Sequence, residues 1–315
     1  MEPTHIPVLL KEVIQYLDCR SEGCYLDGTL GDGGHAEAIL EASAPSGRLL
    51  ALDQDDEAIG RAKERLLRFG ERVIFVRDNF KRIKQVLAQQ GMKELAGVVI
   101  DLGVSARQVE NSRRGFSFRL DGPLDMRQDR RQLVNASRLV NNLSQKELER
   151  LIRKYGEERW SARIAKAIVS ARSVGEIEST LQLAEIVTQA IPKAYHPRNI
   201  HPATRTFQAL RIEVNQELEG LDEAISDAVR ALAVGRRICI ISYHSLEDRI
   251  VKHGFKRLSG VCTCPPKLPQ CVCGQKAILK LLTSRPIIPT ISEQNINPRS
   301  RSAKLRVAQR LPLAA

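Results

Sequence analysis

The sequence predicts an α/β fold in which an open parallel sheet is interrupted by an all-helical insertion. Three observations predict it. Short apolar runs alternate with helical patterns through the first hundred residues, and a glycine-rich turn follows the first run. No strand-like run then recurs between Asp101 and Arg236, although that stretch is rich in helix signals. Alternating strands and helices build right-handed parallel sheets, and a gap of that length is too long for a loop and must hold a folded unit of its own.

The strands are read at Cys24–Asp27, Arg48–Asp53, Arg72–Arg77 and Gly97–Asp101. Helical patterns at Ala36–Ala42, Asp56–Phe69 and Arg82–Gln90 separate them. Inside the gap, Ser144 with Glu147 forms a capping-box pattern before LERLIRKYG. Ser179 with Gln182 forms another before LAEIVTQAI, which stops at Pro192. Between them, Trp160, Ile164 and Ile168 recur at four-residue spacing within Glu157–Arg172. A long helix over about Arg205–Ala233 is expected to lead back to a strand at Arg236–Ser242. Ser302–Arg310 alternates small or apolar residues with basic ones, which suits a closing strand with one wet, positive face. The sheet domain is therefore placed at 1–107 and 206–315, and the helical insertion at 108–205.

The chain has 315 residues, 43% of them hydrophobic, enough for one large or two ordinary cores. No run of eighteen apolar residues occurs, so no membrane span is expected. The opening MEPTHIPVLLKEV lacks a secretory pattern, and the expected location is the cytoplasm. Seven cysteines without an export signal argue against a disulfide framework. Charge is unevenly distributed: residues 1–105 hold 13 Lys/Arg against 17 Asp/Glu, whereas residues 106–215 hold 20 against 12. Such a partition suits a polyanion bound away from the first third, or merely solvated helix faces. Nothing fixes an oligomeric state, and a dimer is compatible with the sequence.

The segment CYLDGTLGDGGHAEAIL reads as strand, glycine turn and helix. Glycines there admit backbone angles closed to other residues and let a ligand approach the main chain. Asp53, at the tip of the second strand, is placed to accept hydrogen bonds from ribose hydroxyls. The run from Gly31 to Ala36 formally fits the dinucleotide fingerprint G-x-G-x-x-A, so an NAD-dependent oxidoreductase stands as one reading. Asp27 and Asp32 in the same turn are poor neighbours for a pyrophosphate. They suit a cofactor that carries positive charge.

The chain resembles the ribosomal RNA small subunit methyltransferase H family. The blocks that carry the resemblance are HIPVLL at 5–10, YLDGTLGDGGH at 25–35, DLGVSARQVENSRRGFSFRLDGPLDMR at 101–127, HPATRTFQALRIEVNQEL at 201–218, ISYHSLEDRIVK at 241–252 and NPRSRSAKLRVAQR at 297–310. The resemblance implies a class I S-adenosylmethionine methyltransferase sheet, Rossmann-like, with an inserted helical RNA-recognition domain. It implies methylation of N4 of a cytidine in the decoding region of 16S ribosomal RNA, within the small ribosomal subunit. By position it implies S-adenosyl-L-methionine contacts at Gly33, Gly34, His35, Asp53, Phe80, Asp101 and Gln108. A non-catalytic RNA-binding assembly factor is the remaining alternative.

One departure stands out. Amino-group methyltransferases of DNA usually carry Pro-Pro-aromatic after the fourth strand, and here the place reads Asp101-Leu102-Gly103-Val104. The amine of cytosine is a weak nucleophile and needs an acceptor for its developing charge and its proton. Asp101 is the first candidate, and Tyr243 and His244 follow the fifth strand at the same expected edge. Either those two touch the base, or they are a packed tyrosine and a turn histidine. Arg113, Arg114, Arg119 and Arg127 surround GFSF at 115–118, a mixture suited to RNA or to a hydrophobic plug. Cys262, Cys264, Cys271 and Cys273 are either a zinc set or free thiols, and no metal is assigned. Cys19, Cys24 and Cys239 read as small buried hydrophobes.

Overall fold

The computed structural model describes residues 6–197, 200–262, 264, 268 and 276–312. The chain forms two compact units, one of Met1–Gly103 with Leu218–Ala315 and one of Val104–Glu217.

The first unit is built on strands β1 (Cys24–Asp27), β2 (Arg48–Asp53), β3 (Val73–Arg77), β4 (Leu95–Asp101), β5 (Leu232–Ser242), β6 (Leu279–Leu281) and β7 (Lys304–Arg310). Their order across the sheet is β3-β2-β1-β4-β5-β7-β6. The first five are parallel, and β7 runs antiparallel between β5 and β6. Helices α1 (Leu10–Leu17), α2 (Gly34–Ala42) and α3 (Asp56–Leu66) bury Val13, Ile39 and Ala62 in the core on one face. The opposite face is covered by α4 (Ile83–Gln89) and two later helices. Burial on both faces explains why β2 and β4 read as unbroken apolar runs. Register sets Asp27 beside Ala51 and Val99, and Asp101 beside Ile241. The carboxyl ends of β1, β2, β4 and β5 therefore share one edge, where ligands of open α/β sheets bind.

The second unit contains α5 (Ala106–Glu110), α6 (Ala136–Asn142), α7 (Gln145–Gly156), α8 (Ser161–Arg172), α9 (Thr180–Ala190) and α10 (Thr204–Asn215). The Ser144–Glu147 capping box forms in both directions. At α9, Ser179 accepts from the Gln182 N–H, whereas the Gln182 side chain turns to the N–H of Glu178. Ile164 and Ile168 are fully buried among Leu148, Ile152 and Leu183. At Gly156 a Cβ would lie 2.7 Å from the Arg205 carbonyl oxygen, so α7 and α10 meet backbone to backbone.

The expected helix over Arg205–Ala233 is instead two. Gln216 takes φ 49° and Gly220 φ 68°, and α11 (Leu221–Ala231) starts afresh in the first unit. Because α10 packs on α7, it belongs to the helical unit. With α12 (Ser245–Leu258), α11 completes the second face of the sheet; α13 (Ile291–Ile296) contributes Glu293, whose Oε1 accepts from the N–H of Leu9 at 2.7 Å. The wet, positive face expected of the closing strand is also corrected. Arg306 and Arg310 are buried, because α12 packs over β7 at Arg306 and Arg310 turns to the Ile278 carbonyl. Arg306 forms a two-pronged ion pair with Asp248 of α12 at 2.7 and 3.2 Å.

Asn215 ties the helical unit together. Its Oδ1 accepts from the N–H of Gln128, and its Nδ2 donates to the carbonyls of Met126 and Arg211, all within 2.9 Å. Met126 holds φ 61°, a conformation that needs such support. Asn215→Ala leaves a buried N–H and a buried carbonyl unpaired, at about 1–3 kcal/mol each. The denaturation midpoint of the helical unit should fall accordingly, and an unchanged midpoint would show that the loop is held by other contacts.

Candidate active site

The turn after β1 is organised by two side chains from neighbouring strands. Gly31, at φ +52°, donates its N–H to Asp53 Oδ2 at 2.8 Å, and Asp53 Oδ1 accepts from the N–H of Asp55 at 2.8 Å. Thr29 Oγ1 accepts from the N–H of Asp101 at 2.6 Å, stitching the turn to β4. Asp27 Oδ1 accepts from the N–H of Thr29, while its buried Oδ2 has no partner among the described residues. Gly28 is small because Phe80 is close: a Cβ there would stand 3.1 Å from that of Phe80.

Three carboxyls thus gather at one sheet edge, and each is held away from its usual aspartate range. Burial pushes Asp27 up to about 7, against the N–H of Thr29 and with the help of Asp53. Burial likewise raises Asp53 to about 6, opposed by the N–H groups that it accepts. Asp101 rises to about 7 by burial, reinforced by Asp27 and Glu247 and opposed by the Tyr243 hydroxyl. That hydroxyl donates to Asp101 Oδ1 at 2.9 Å, and burial beside the carboxylate raises the pKa of Tyr243 well above its usual value. Such a cluster favours a positively charged ligand, which lowers all three.

The other expected contacts divide. Gly33 starts α2 at φ +78°, and a Cβ on Gly34 would meet Pro7 Cγ at 2.2 Å. His35 is buried, with Nε2 3.0 Å from the Val8 carbonyl oxygen. These three pack the turn. Gln108 stands on α5 of the second unit, where its Oε1 accepts from the N–H of Ser105 in a capping box. His244 caps α12: its Nδ1 accepts from the N–H of Glu247, and Glu247 Oε2 accepts from the N–H of Tyr243 at 2.8 Å. The histidine thus caps α12, and Glu247 holds the backbone of Tyr243.

Of the four arginines near GFSF, Arg113 and Arg119 are exposed. Arg114 is buried and donates to the carbonyls of Arg127 and Gln128. Arg127 pairs with Asp125 at 2.6 Å and donates to the Gln132 carbonyl. Phe116 lies in the helical core, and Phe118 stacks on His201 at 4.7 Å. The segment is largely a plug, with two solvent-facing cations.

Asp32 pairs with Arg61 at 2.8 Å, so the acidity of the site comes from Asp27, Asp53 and Asp101 instead. Thr29 and Glu247 escaped sequence reasoning. Glu247 could have been found as the third residue after a cap, but histidine is not among the usual capping residues. Cys264 donates its N–H to Cys262 Sγ, whereas Cys271 and Cys273 lie outside the described residues. Cys239 is buried, and Cys19 and Cys24 are partly so. No helix among the described residues is long and apolar enough to cross a membrane.

A seven-stranded sheet of this order, with carboxyls at the ends of β1, β2 and β4, defines a class I methyltransferase fold. The chain belongs to the MraW methylase family, whose sequence model matches residues 2–311. It is 51% identical over 307 residues to the ribosomal RNA small subunit methyltransferase H of Trichlorobacter lovleyi, covering 98% of each chain. The protein of the same name from Heliobacterium mobile is 48% identical over 312 residues, 99% of this chain and 100% of that one. Membership in a methylase family sets aside the oxidoreductase reading.

The raised carboxyls carry a stability consequence. An acid whose folded-state pKa is raised contributes fully below its unfolded value, about 3.9 for aspartate. That contribution is lost as pH climbs through the folded value, here about 7 for Asp27. Asp27→Asn removes this penalty while its amide oxygen still accepts from Thr29. The ligand-free variant should melt higher than the parent at pH 8 and much closer to it at pH 4. Equal melting at pH 8 would show that Asp27 bears no strain.

Proposed function

We propose that this chain transfers a methyl group from S-adenosyl-L-methionine to N4 of a cytidine in the decoding region of 16S ribosomal RNA. The observation that carries the reading is the gathering of Asp27, Asp53 and Asp101 at one sheet edge, with one carboxyl oxygen of Asp27 buried and unpartnered. The residues fit a cationic nucleoside cofactor. S-adenosyl-L-methionine supplies, when bound, a methyl group activated by a sulfonium.

Asp53 is held rigid by two backbone N–H groups, and its remaining lone pairs accept the ribose hydroxyls. Phe80, beside Gly28, offers an aromatic face to the adenine. Asp101 accepts the proton of the cytosine amine. In the ligand-free site that carboxyl titrates near 7, and a bound cation shifts it toward the ionised form, which leaves it free to accept the proton. Tyr243 is the positioning residue: its hydroxyl fixes the Asp101 carboxylate, and Glu247 fixes the backbone of Tyr243. The cytosine amine is itself the nucleophile, so the main task of the site is to align it with the methyl group.

The helical unit is assigned to RNA recognition. Its charge supports this, since residues 106–215 carry 20 Lys/Arg against 12 Asp/Glu. Arg113 and Arg119 are the solvent-facing cations of the GFSF loop.

Methyl transfer to purified small ribosomal subunits, followed by nucleoside analysis, tests the reading; N4-methylcytidine is expected, and its absence with active cofactor binding overturns it. Asp101→Asn should reduce single-turnover methylation by about a hundredfold at saturating cofactor. Full recovery of the rate on raising the cofactor would make Asp101 a cofactor ligand only.

A further inference from the structure

The start of α8 carries a cluster that the catalytic account does not use. The Arg159 guanidinium carbon lies 5.2 Å from the Trp160 ring centroid and 4.6 Å from that of Tyr195. Arg163 stands over the indole as well, at 5.7 Å. The two rings are 5.2 Å apart and inclined at 51°, so they are splayed, and the guanidinium lies against both. Tyr195 is 54% exposed, on the short turn Lys193–Tyr195. The indole N–H of Trp160 is buried and has no acceptor among the described residues.

Structural roles explain this arrangement poorly. A cation in the first turn of a helix faces the positive end of its dipole, so Arg163 does not serve α8. Neither Arg159 nor Arg163 has a carboxylate partner among the described residues. The preceding acid, Glu158, is buried and accepts from the backbone N–H of Trp160, with Arg205 3.8 Å away. Lys166 is exposed one turn beyond Arg163 and adds to the positive strip.

We propose that Arg159, Trp160, Arg163 and Tyr195 form a stacking site for one unpaired base of the RNA substrate. A guanidinium and a nucleobase are both flat and both stack on aromatic faces. The base takes the place of the Arg159 guanidinium against the two rings, and Arg159 turns to the adjoining phosphate. Single-stranded RNA is the fitting occupant, because a duplex hides the faces of its bases while sharing its charge. The proposal rests on the reading that RNA is the substrate. It adds a contact on the helical unit to that reading.

Trp160 is the sole tryptophan of the chain, so its emission reports this site alone. The full-length protein is titrated with an end-labelled, unstructured RNA of about twelve nucleotides at low salt. RNA anisotropy and tryptophan emission are followed together. The expected result is saturable binding with at least twofold quenching along the same isotherm. Tyr195→Ala should weaken binding about five- to a hundredfold, the span for one lost base stack, and Tyr195→Phe should restore it. Saturable binding with unchanged emission overturns the proposal, as does failure of the RNA to bind. Equal quenching by polyphosphate, by an acidic peptide or by duplex RNA also overturns it, since charge alone would then suffice. Methylation of small subunits measured in parallel separates the two readings: transfer without quenching sinks the stacking site only, and quenching without transfer sinks the methylation reading only.

Discussion

The active edge depends on the way that two short hydrogen bonds pin the turn after β1. Asp53 grips the N–H of Gly31, and Thr29 grips the N–H of Asp101. Together they fasten the turn to β2 on one side and to β4 on the other. The glycines permit the path, but the side chains choose it. The result brings Asp27, Asp53 and Asp101 to one end of the sheet, where burial keeps each of them harder to ionise than a surface aspartate. A neutral ligand would leave that electrostatic penalty in place and an anionic one would deepen it; a cationic one relieves it. The same constraint that shapes the turn thus selects the charge of what binds there.

The Asp101–Tyr243 pair extends this logic from binding to chemistry. A donated hydroxyl hydrogen bond lowers the carboxylate pKa, whereas burial and the neighbouring acids raise it. The balance leaves Asp101 near neutrality. Glu247 settles the backbone from which Tyr243 projects, and His244 holds the N–H of Glu247 in the cap of α12.

Much of this was legible in the sequence where the physical signal is local. β1 and β2 were delimited by apolar runs ending in Asp27 and Asp53, because strands covered on both faces must be apolar throughout. The tips of those strands followed, and with them the acidic edge. What needed tertiary context was lost. A three-residue strand such as β6 has no readable pattern. Whether Arg306 faces water depends on α12 covering that face of β7, which no local pattern encodes. Arg113 and Arg114 are adjacent and chemically alike, yet one faces solvent and the other is buried against backbone carbonyls. The break before α11 was within reach, since Gly220 marks it.

A cationic cofactor relieves three carboxyls that burial makes hard to ionise, and proton linkage measures this directly. Isothermal titration calorimetry at pH 6.5, in buffers of differing ionisation enthalpy, counts protons exchanged on binding. Carboxyls near 6–7 are partly protonated at that pH, so S-adenosyl-L-methionine should release protons. S-adenosylhomocysteine, which lacks the sulfonium charge, should release fewer. Binding without net proton release, or equal release by both ligands, would contradict the account.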